Sequence, residues 1–139
     1  MKTYHGGAKI VEEIDPDGPW YAFPGIFSAA SECVARSHGD VLTTILSPRP
    51  LSDHEINYSG ELRAYDVCLE IVGGDEALAD AVMDAACPQC GPFGGHEVQA
   101  LRGKLAQKLG FTSVEVADEH GTSWLCLTGC ALRPHTTQS

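Results

Sequence analysis

The sequence predicts a single α+β domain, because strand-like segments lie near both ends of the chain and helical periodicity lies between them. Its 139 residues and 14.8 kDa are the size of one ordinary domain, so residues 1–139 are expected to share one core. Hydrophobic residues make up 43% of the chain and charged residues 20%, which is typical of globular proteins and excludes a disordered chain.

Short strands, turns and one short helix are predicted in the first fifty residues. Ser28 or Ser31 suits the N-cap of a helix over 32–37, and Gly39 suits a left-handed residue that ends it. The β-branched run 41–46 predicts a strand that stops at the Pro48-Arg49-Pro50 sequence. The other predicted elements are a strand over 3–5 that stops at Gly6-Gly7, a short helix or irregular packed segment over 9–14, a loop over 15–19 and a strand end over 24–28.

The rest of the chain predicts three helices and a C-terminal hairpin. The second helix follows a candidate cap at Asp75, and the third stops before Gly110. In the tail, residues 114 and 116 alternate as in a strand, residues 118–121 suit a turn, and residues 123–127 form the returning strand. The apolar residues at helical spacing are Leu62, Tyr65, Leu69 and Val72; Leu78, Val82 and Ala85; and Val98, Leu101, Leu105 and Leu109.

Charge and patterning exclude several classes of function. Nine basic and nineteen acidic residues give a net charge of −10, which disfavours binding to nucleic acid or anionic membranes and favours a basic partner. No apolar run approaches the roughly 20 residues of a membrane helix, and no apolar stretch typical of a secretory signal begins the sequence, so we expect a cytoplasmic protein. The glycine patterns of P-loop and Rossmann nucleotide sites are absent from the sequence.

The cysteines and histidines do not predict a metal site. Cys33, Cys68 and Cys126 lie in apolar segments, where a free thiol behaves as a small hydrophobic residue. Cys87-Pro88-Gln89-Cys90 is a C-x-x-C sequence that Cys130 or His96 could complete as a zinc site, but one such motif alone is a weak signal. The six histidines are scattered, and none forms an i, i+4 pair beside a glutamate.

Three places in the sequence combine residues suited to a ligand cleft. A histidine before two glycines lets backbone approach a ligand beside an imidazole, and two flat rings at element ends can face a common cleft. Each place also has an ordinary structural interpretation, as a strand end, a core aromatic, a helix C-terminal cation or a solvated turn. The three places are His5 with Gly6-Gly7, Phe27 with His38, and Asp118 with Glu119 at the hairpin tip.

These places coincide with a family resemblance. The Tyr4–Gly7, Gly25–Ala29 and Ala35–Asp40 sequences are similar to the first two motifs of the H-Y-E branch of ADP-ribosyltransferases, and residues 109–127 resemble its C-terminal strands. More narrowly, residues 4–130 resemble the small phage-type anti-CRISPR ADP-ribosyltransferases that disable the type I-F surveillance complex. That narrower resemblance includes residues 46–51, 73–76 and 101–103. It implies an ADP-ribosyltransferase-like core, two small antiparallel sheets around an NAD cleft with flanking helices.

The resemblance also implies roles for individual residues. The family breaks the bond between nicotinamide and ribose in NAD+ through an oxocarbenium-like transition state, as in glycoside hydrolysis, so a nearby negative charge is required. The implied cofactor-binding residues are His5 for a ribose hydroxyl, the Gly6 backbone for the nicotinamide amide, and Phe27, with the adjoining Ser28, and His38 around the nicotinamide ring. The implied catalytic residues are Asp118, with Glu119 as the reserve candidate, and His5.

Departures from the wider family define the expected reaction. Phe27 and His38 stand where tyrosines are common, so ring stacking is retained without a phenol hydroxyl. Ser123 stands where the polymerase branch has glutamate, which favours transfer of a single ADP-ribose. The implied partner is the large subunit of the type I-F complex in a host bacterium, modified on an asparagine where that subunit reads the protospacer-adjacent motif, so that DNA binding is blocked.

Three alternatives fit the same sequence. The first is a stoichiometric acidic inhibitor that mimics nucleic acid and needs no cofactor, although the acidic residues here are dispersed rather than in runs. The second is an NAD glycohydrolase, because water can accept the same ribosyl cation. The third is a small zinc-dependent interaction module built on Cys87 and Cys90.

Overall fold

Two small β-sheets and five flanking α-helices make up the computed structural model, within the residues that it describes: 1–14, 25–84, 95–118 and 121–135. The strands are β1 (Lys2–Gly7), β2 (Gly25–Ser28), β3 (Val41–Leu46), β4 (Pro50–Leu51), β5 (Ser113–Asp118), β6 (Gly121–Leu127) and β7 (Ala131–Pro134). The helices are α1 (Glu32–Arg36), α2 (Asp53–Tyr58), α3 (Ala64–Ile71), α4 (Glu76–Met83) and α5 (Gly95–Leu109), with a 3₁₀ turn at Gly60–Leu62.

The sheet topology confirms the expected α+β class of two small sheets with helices around them. The first sheet is antiparallel, in the order β1-β3-β7, and the second has the order β2-β6-β5-β4. One pair departs from the antiparallel expectation, because β4 runs parallel to β5. The chain between these two strands passes through helices α2 to α5, which supply the long crossover that parallel pairing needs. Pro50 is accommodated because β4 lies at the sheet edge.

A short bridge joins the two sheets. The backbones of Tyr4 in β1 and Ala29, just after β2, exchange two hydrogen bonds of 2.8 Å. Two apolar cores involve the helices: one contains Leu51, Ile56, Val114, Val116, Leu125 and Leu127, and a second between the helices contains Cys68, Ala79, Val82, Val98 and Leu105. Two smaller clusters include strand β3: one contains Ile14, Ile45 and Cys126, and the other contains Ala29, Ala35 and Leu42.

Helix α1 confirms one of the two predicted N-caps and corrects one detail of the sequence prediction. Its N-cap is Ser31, whose side chain accepts a hydrogen bond from the Val34 amide, whereas Ser28 is buried in β2. Gly39 does not adopt a left-handed conformation. Glycine is required there for space, because a Cβ atom on Gly39 would lie 2.5 Å from the Cα atom of Gly7.

Strand β1 and the segment after it also differ from the simplest expectation. The strand does not stop at the two glycines but continues to Gly7, which pairs with Val41. Residues 9–14 form the irregular packed alternative rather than a helix, since the Val11 amide donates to Thr43 Oγ1 at 2.9 Å and Ile14 is buried. The predicted loop over 15–19 lies outside the described residues.

The helical middle of the chain largely follows its sequence pattern. Asp75 caps α4 by accepting a hydrogen bond from the Leu78 amide at 3.1 Å, and α5 ends before Gly110, which has a φ of +85°. The first predicted helix begins later than expected, at Ala64, because Arg63 adopts a left-handed φ of 52° after the 3₁₀ turn. Within the described residues, no helix is long and apolar enough to cross a membrane.

Candidate functional site

His5 lies at the junction of the two sheets and is fixed by one backbone hydrogen bond. Its Nδ1 atom is 2.7 Å from the carbonyl oxygen of Phe27 in β2. Because a carbonyl can only accept, Nδ1 carries the proton, and the neutral ring then has Nε2 as its acceptor. The ring lies over Gly7, where an added Cβ atom would be 3.3 Å from Nε2. The junction therefore presents an oriented, half-buried imidazole whose remaining nitrogen can accept from a ligand hydroxyl.

Gly6 allows the end of α1 to pack directly on the backbone of β1. A Cβ atom at Gly6 would lie 1.8 Å from the carbonyl oxygen of Ala35 and 2.9 Å from that of Gly39, so no larger residue fits. His38 lies between Ala35 and Gly39 in the sequence, and its amide donates to the Ala35 carbonyl at 3.1 Å. This packing brings exposed His38 to the same junction as His5.

Strand β2 supplies the other face of the junction. Phe27 is half-buried and packs against the core that contains Leu125, its partner in the strand pairing. Ser28 points into the molecule, where its hydroxyl donates to Thr3 Oγ1 at 2.7 Å. Since Ser28 is only 5% exposed, its hydroxyl supports the position of β2, and contact with a ligand is left to the neighbouring residues.

The backbone places Asp118 at the same end of the second sheet as this junction. Strands β2 and β5 both pair antiparallel with β6, so they run in the same direction and finish at the same end of the sheet. Ser28 pairs with Trp124 and Asp118 pairs with Gly121, a separation of three residues along β6, or about 10 Å at the usual strand rise. Glu119, the reserve acid, lies outside the described residues.

A buried layer of hydroxyl and thiol groups lies behind the junction. We call it the hydroxyl–thiol network; it comprises Thr3, Ser28, Ser47, Thr112, Ser113, Cys126 and Cys130. On one side, Ser28 Oγ is 3.1 Å from Cys126 Sγ. On the other, Ser47 Oγ is 2.7 Å from both Thr112 Oγ1 and Ser113 Oγ. Within the described residues, every buried side-chain nitrogen or oxygen has a hydrogen-bond partner.

Arg102 forms a second buried polar centre, which holds the helices to the second sheet. Its Nε atom donates to the Glu115 carbonyl at 2.8 Å, and Nη1 donates to the carbonyls of Val82 and Met83 at 2.8 and 3.0 Å. Nη2 lies 2.6 Å from Oδ1 of Asp53. Burial lowers the pKa of Arg102, and the hydrogen bond to Asp53 opposes that shift. This guanidinium fixes where β5, and hence Asp118, lies relative to the helices.

Of these two polar centres, the sequence analysis assigns only Ser28 to the site. Arg102 lies within the segment shared with the family, and Cys126 is expected there only as a buried thiol. The sequence signal for the network is the position of Ser28 beside Phe27 and of Thr3 two residues before His5, both in strands. No group of three potential metal ligands occurs among the described residues, and Cys87 and Cys90 lie outside them.

Comparisons with known proteins identify the family of the chain. A family profile described as Anti-CRISPR Type I-F ADP-ribosyltransferase AcrIF11 matches residues 53–133. The chain is also similar to a solved structure described as "Crystal structure of an anti-CRISPR protein", with a TM-score of 0.87 and 46% sequence identity over 96% of this chain and 93% of that chain. No curated protein matches the chain. From its fold, and from a profile match and a structural match that each cover more than half its length, the chain belongs to the Anti-CRISPR Type I-F ADP-ribosyltransferase AcrIF11 family.

Proposed function

We propose that this protein transfers a single ADP-ribosyl unit from NAD+ to the large, motif-reading subunit of the type I-F CRISPR surveillance complex and thereby blocks DNA binding. The observation that carries the proposal is the junction of the sheets, where His5, held at 2.7 Å by the Phe27 carbonyl, adjoins the close packing of Gly6 on α1. Membership of the family supports the reaction class.

The junction fits the nicotinamide ribose part of NAD+. The family resemblance assigns the Gly6 backbone to the nicotinamide amide, and His5 Nε2 can accept from a ribose hydroxyl. In the proposed site, the rings of Phe27 and His38 flank the pyridinium, a stacking arrangement worth about 0.5–2 kcal/mol. NAD+ supplies the ADP-ribosyl group when its bond to nicotinamide breaks.

Asp118 is the proposed catalytic carboxylate. Positive charge develops on the ribose as the nicotinamide departs, and the proposal assigns its stabilisation to Asp118, whose backbone lies at the end of the sheet where β2 and β5 both finish. At the position of the polymerase-branch glutamate, buried Ser123 carries no carboxylate. The proposal is therefore transfer of one unit rather than growth of a polymer.

The net charge supports a basic protein target. A surface that reads DNA is cationic, and a modifier with a net charge of −10 is steered toward it mainly through faster association. The attached ADP-ribose adds two negative charges and considerable volume where DNA phosphates would bind, so both charge and size oppose DNA binding.

Intact mass analysis tests the proposal directly. The purified protein is incubated with NAD+ and reconstituted type I-F complex, and the mass of each subunit is measured together with DNA binding. We expect one ADP-ribose on the large subunit, its loss with Asp118→Asn, and its retention with Glu61→Gln, a control acid exposed on the 3₁₀ turn. Blocked DNA binding without a mass change would instead identify a stoichiometric inhibitor.

The same reaction separates transfer from hydrolysis. Nicotinamide release is followed with and without the complex. Transfer predicts that release depends on the large subunit, whereas a glycohydrolase releases nicotinamide at the same rate with NAD+ alone and leaves every subunit unmodified.

A further inference from the structure

Cys126 and Cys130 come together where the chain passes from one sheet to the other. Strand β6 ends at Leu127 in the second sheet, and β7 joins the first sheet four residues later. The turn between them is closed by a hydrogen bond from the Cys130 amide to the Leu127 carbonyl, and Gly129 has a φ of +102°. Cys130 packs against the buried cluster of Ile14, Ile45 and Cys126, and its Sγ atom donates to the Thr112 carbonyl oxygen at 3.0 Å.

The two thiols have different surroundings, which favour deprotonation of Cys130 over deprotonation of Cys126. The neighbouring Cys126 thiol, and then Ser47, the Leu127 backbone and Thr112, lower the pKa of Cys130 against the effect of its burial. The neighbouring Cys130 sulfur and burial both raise the pKa of Cys126. A proton lost from the pair therefore leaves a thiolate at Cys130, which is the half-buried and more accessible of the two.

The other described cysteines provide internal references. Cys33 is exposed on α1, and Cys68 is buried against α4, where burial raises its pKa to about 11. The Sγ atom of Cys68 lies 3.8 Å from the Ala79 carbonyl oxygen. Within the described residues, the combination of a neighbouring thiol and stabilising donors occurs at Cys130.

We propose that Cys126 and Cys130 are an oxidant-sensitive pair that forms an intramolecular disulfide on reaction with a peroxide. The Cys130 thiolate attacks one peroxide oxygen and the O–O bond breaks, which gives a sulfenic acid and a hydroxide that takes up a proton to become water. The Cys126 sulfur then displaces the sulfenic oxygen as a second water. Two thiols and one hydrogen peroxide thus become one disulfide and two waters, with two electrons passing from sulfur to oxygen.

The disulfide would act on the sheet junction through Ser28. Cys126 Sγ lies 3.1 Å from Ser28 Oγ and 3.8 Å from Thr3 Oγ1. Ser28 follows Phe27, whose carbonyl orients His5. Bonding to Cys130 draws the Cys126 sulfur away from Ser28, so oxidation weakens NAD+ binding; this consequence rests on the proposed function, whereas disulfide formation does not.

Peptide mapping of the peroxide-treated full-length chain tests the pair. We expect a loss of two hydrogens, a cross-linked peptide joining Cys126 and Cys130, and reversal by dithiothreitol. A double variant, Cys87→Ser with Cys90→Ser, should retain this disulfide, which separates it from any bond within the C-x-x-C sequence. Cys130→Ser should lose it and Cys68→Ser should keep it. Oxidation at other cysteines, or Cys130 sulfinic acid without the cross-link, would overturn the proposal.

A second measurement uses the unmutated chain and does not depend on how variants fold. Iodoacetamide labelling at pH 7 should modify Cys130 at least about tenfold faster than Cys68, because a lowered pKa and partial exposure both favour the thiolate reaction. Equal rates would contradict the assignment of the thiolate to Cys130.

Titration of NAD+ into reduced and oxidised protein tests the consequence separately. The expected result is weaker binding after oxidation and recovery on reduction. Disulfide formation with unchanged NAD+ affinity would exclude regulation while leaving the thiol pair intact. If the reduced protein does not bind NAD+ at all, the proposed function fails and the regulatory consequence fails with it.

Discussion

At the scale of single residues, His5 has two separable duties because its two ring nitrogens face different partners. Nδ1 holds the strand junction by donating to the Phe27 carbonyl at 2.7 Å, and Nε2 is the proposed acceptor for a ribose hydroxyl. A substitution that keeps the first bond and removes the second nitrogen therefore distinguishes a structural from a functional role.

The substitution His5→Asn provides this separation. The asparagine amide nitrogen occupies the place of Nδ1 and can donate to Phe27, but nothing replaces Nε2. We expect the unfolding free energy of His5→Asn to match the wild type, that of His5→Ala to fall by about 1 kcal/mol, and ADP-ribosyl transfer to be lost in both. Urea denaturation and intact mass provide the measurements. Wild-type transfer by His5→Asn would exclude a role for Nε2.

Gly6 is the second residue at which packing and the site are linked. In Gly6→Ala the new Cβ atom would meet the Ala35 carbonyl oxygen at 1.8 Å, so α1 and His38 must move away from β1. We expect a destabilisation of about 1–3 kcal/mol, as for other overpacked sites, and weaker NAD+ binding by calorimetric titration. Gly60→Ala is the matched control, because nothing lies within 4 Å of its added Cβ atom. Equal effects of the two substitutions would contradict this account.

At the scale of elements, strong local patterns were predictable and short elements were not. Strand β3 and helix α4 follow their patterns because β-branched residues, or a capped amphipathic run, act within a single segment. Helix α2 was missed because its six residues contain a single buried apolar side chain, Ile56. Strand β7 was missed because four mostly exposed residues ending in proline carry no alternation.

The same distinction applies to the candidate site: residues within local motifs were predictable, and contacts between distant segments were not. The family resemblance identified His5, Gly6, Phe27 and His38. The structure joins His5 to the Phe27 backbone and packs Gly6 against Ala35 and Gly39, on either side of His38, and the roles of the four residues stay predictions. The hydroxyl–thiol network could not be predicted, because its contacts join residues far apart in sequence, such as Ser28 and Cys126, 98 positions apart. Inward-facing serine and threonine look like surface residues until the strands that satisfy them are in place.

Arg102 shows how one side chain couples several elements. It joins α5 to the last carbonyls of α4, to β5 and to α2, and its side chain is 1% exposed whereas that of Asp53 is 50% exposed. We expect Arg102→Leu to lower the unfolding free energy by about 3–5 kcal/mol, because buried carbonyls lose their donors. Asp53→Asn should cost about 1 kcal/mol, since water can reach that position. Urea denaturation of both variants measures the difference, and equal costs would exclude Arg102 as the centre of this cluster.

At the scale of the whole molecule, the two sheets and the net negative charge have different roles. The two sheets meet at the Tyr4–Ala29 bridge and set the geometry of the proposed chemistry, which depends on short-range contacts. The net charge of −10 is spread over the whole chain and acts at a distance, on the encounter with a basic target. A change in ionic strength should therefore affect the encounter with the target more than the chemistry at the site.

The rate of transfer to the large subunit should fall with added salt when that subunit is present below saturation. Between about 50 and 300 mM salt we expect a loss of about tenfold, because screening removes the attraction between an acidic modifier and a cationic surface. The affinity for NAD+ should change much less, since that site is defined by short-range contacts at the junction. Single-turnover transfer and NAD+ titration over the same salt series measure the two quantities. A transfer rate that is independent of salt would mean that the acidic surface plays no part in finding the target, whereas parallel losses in transfer and NAD+ affinity would locate the salt effect in the site itself.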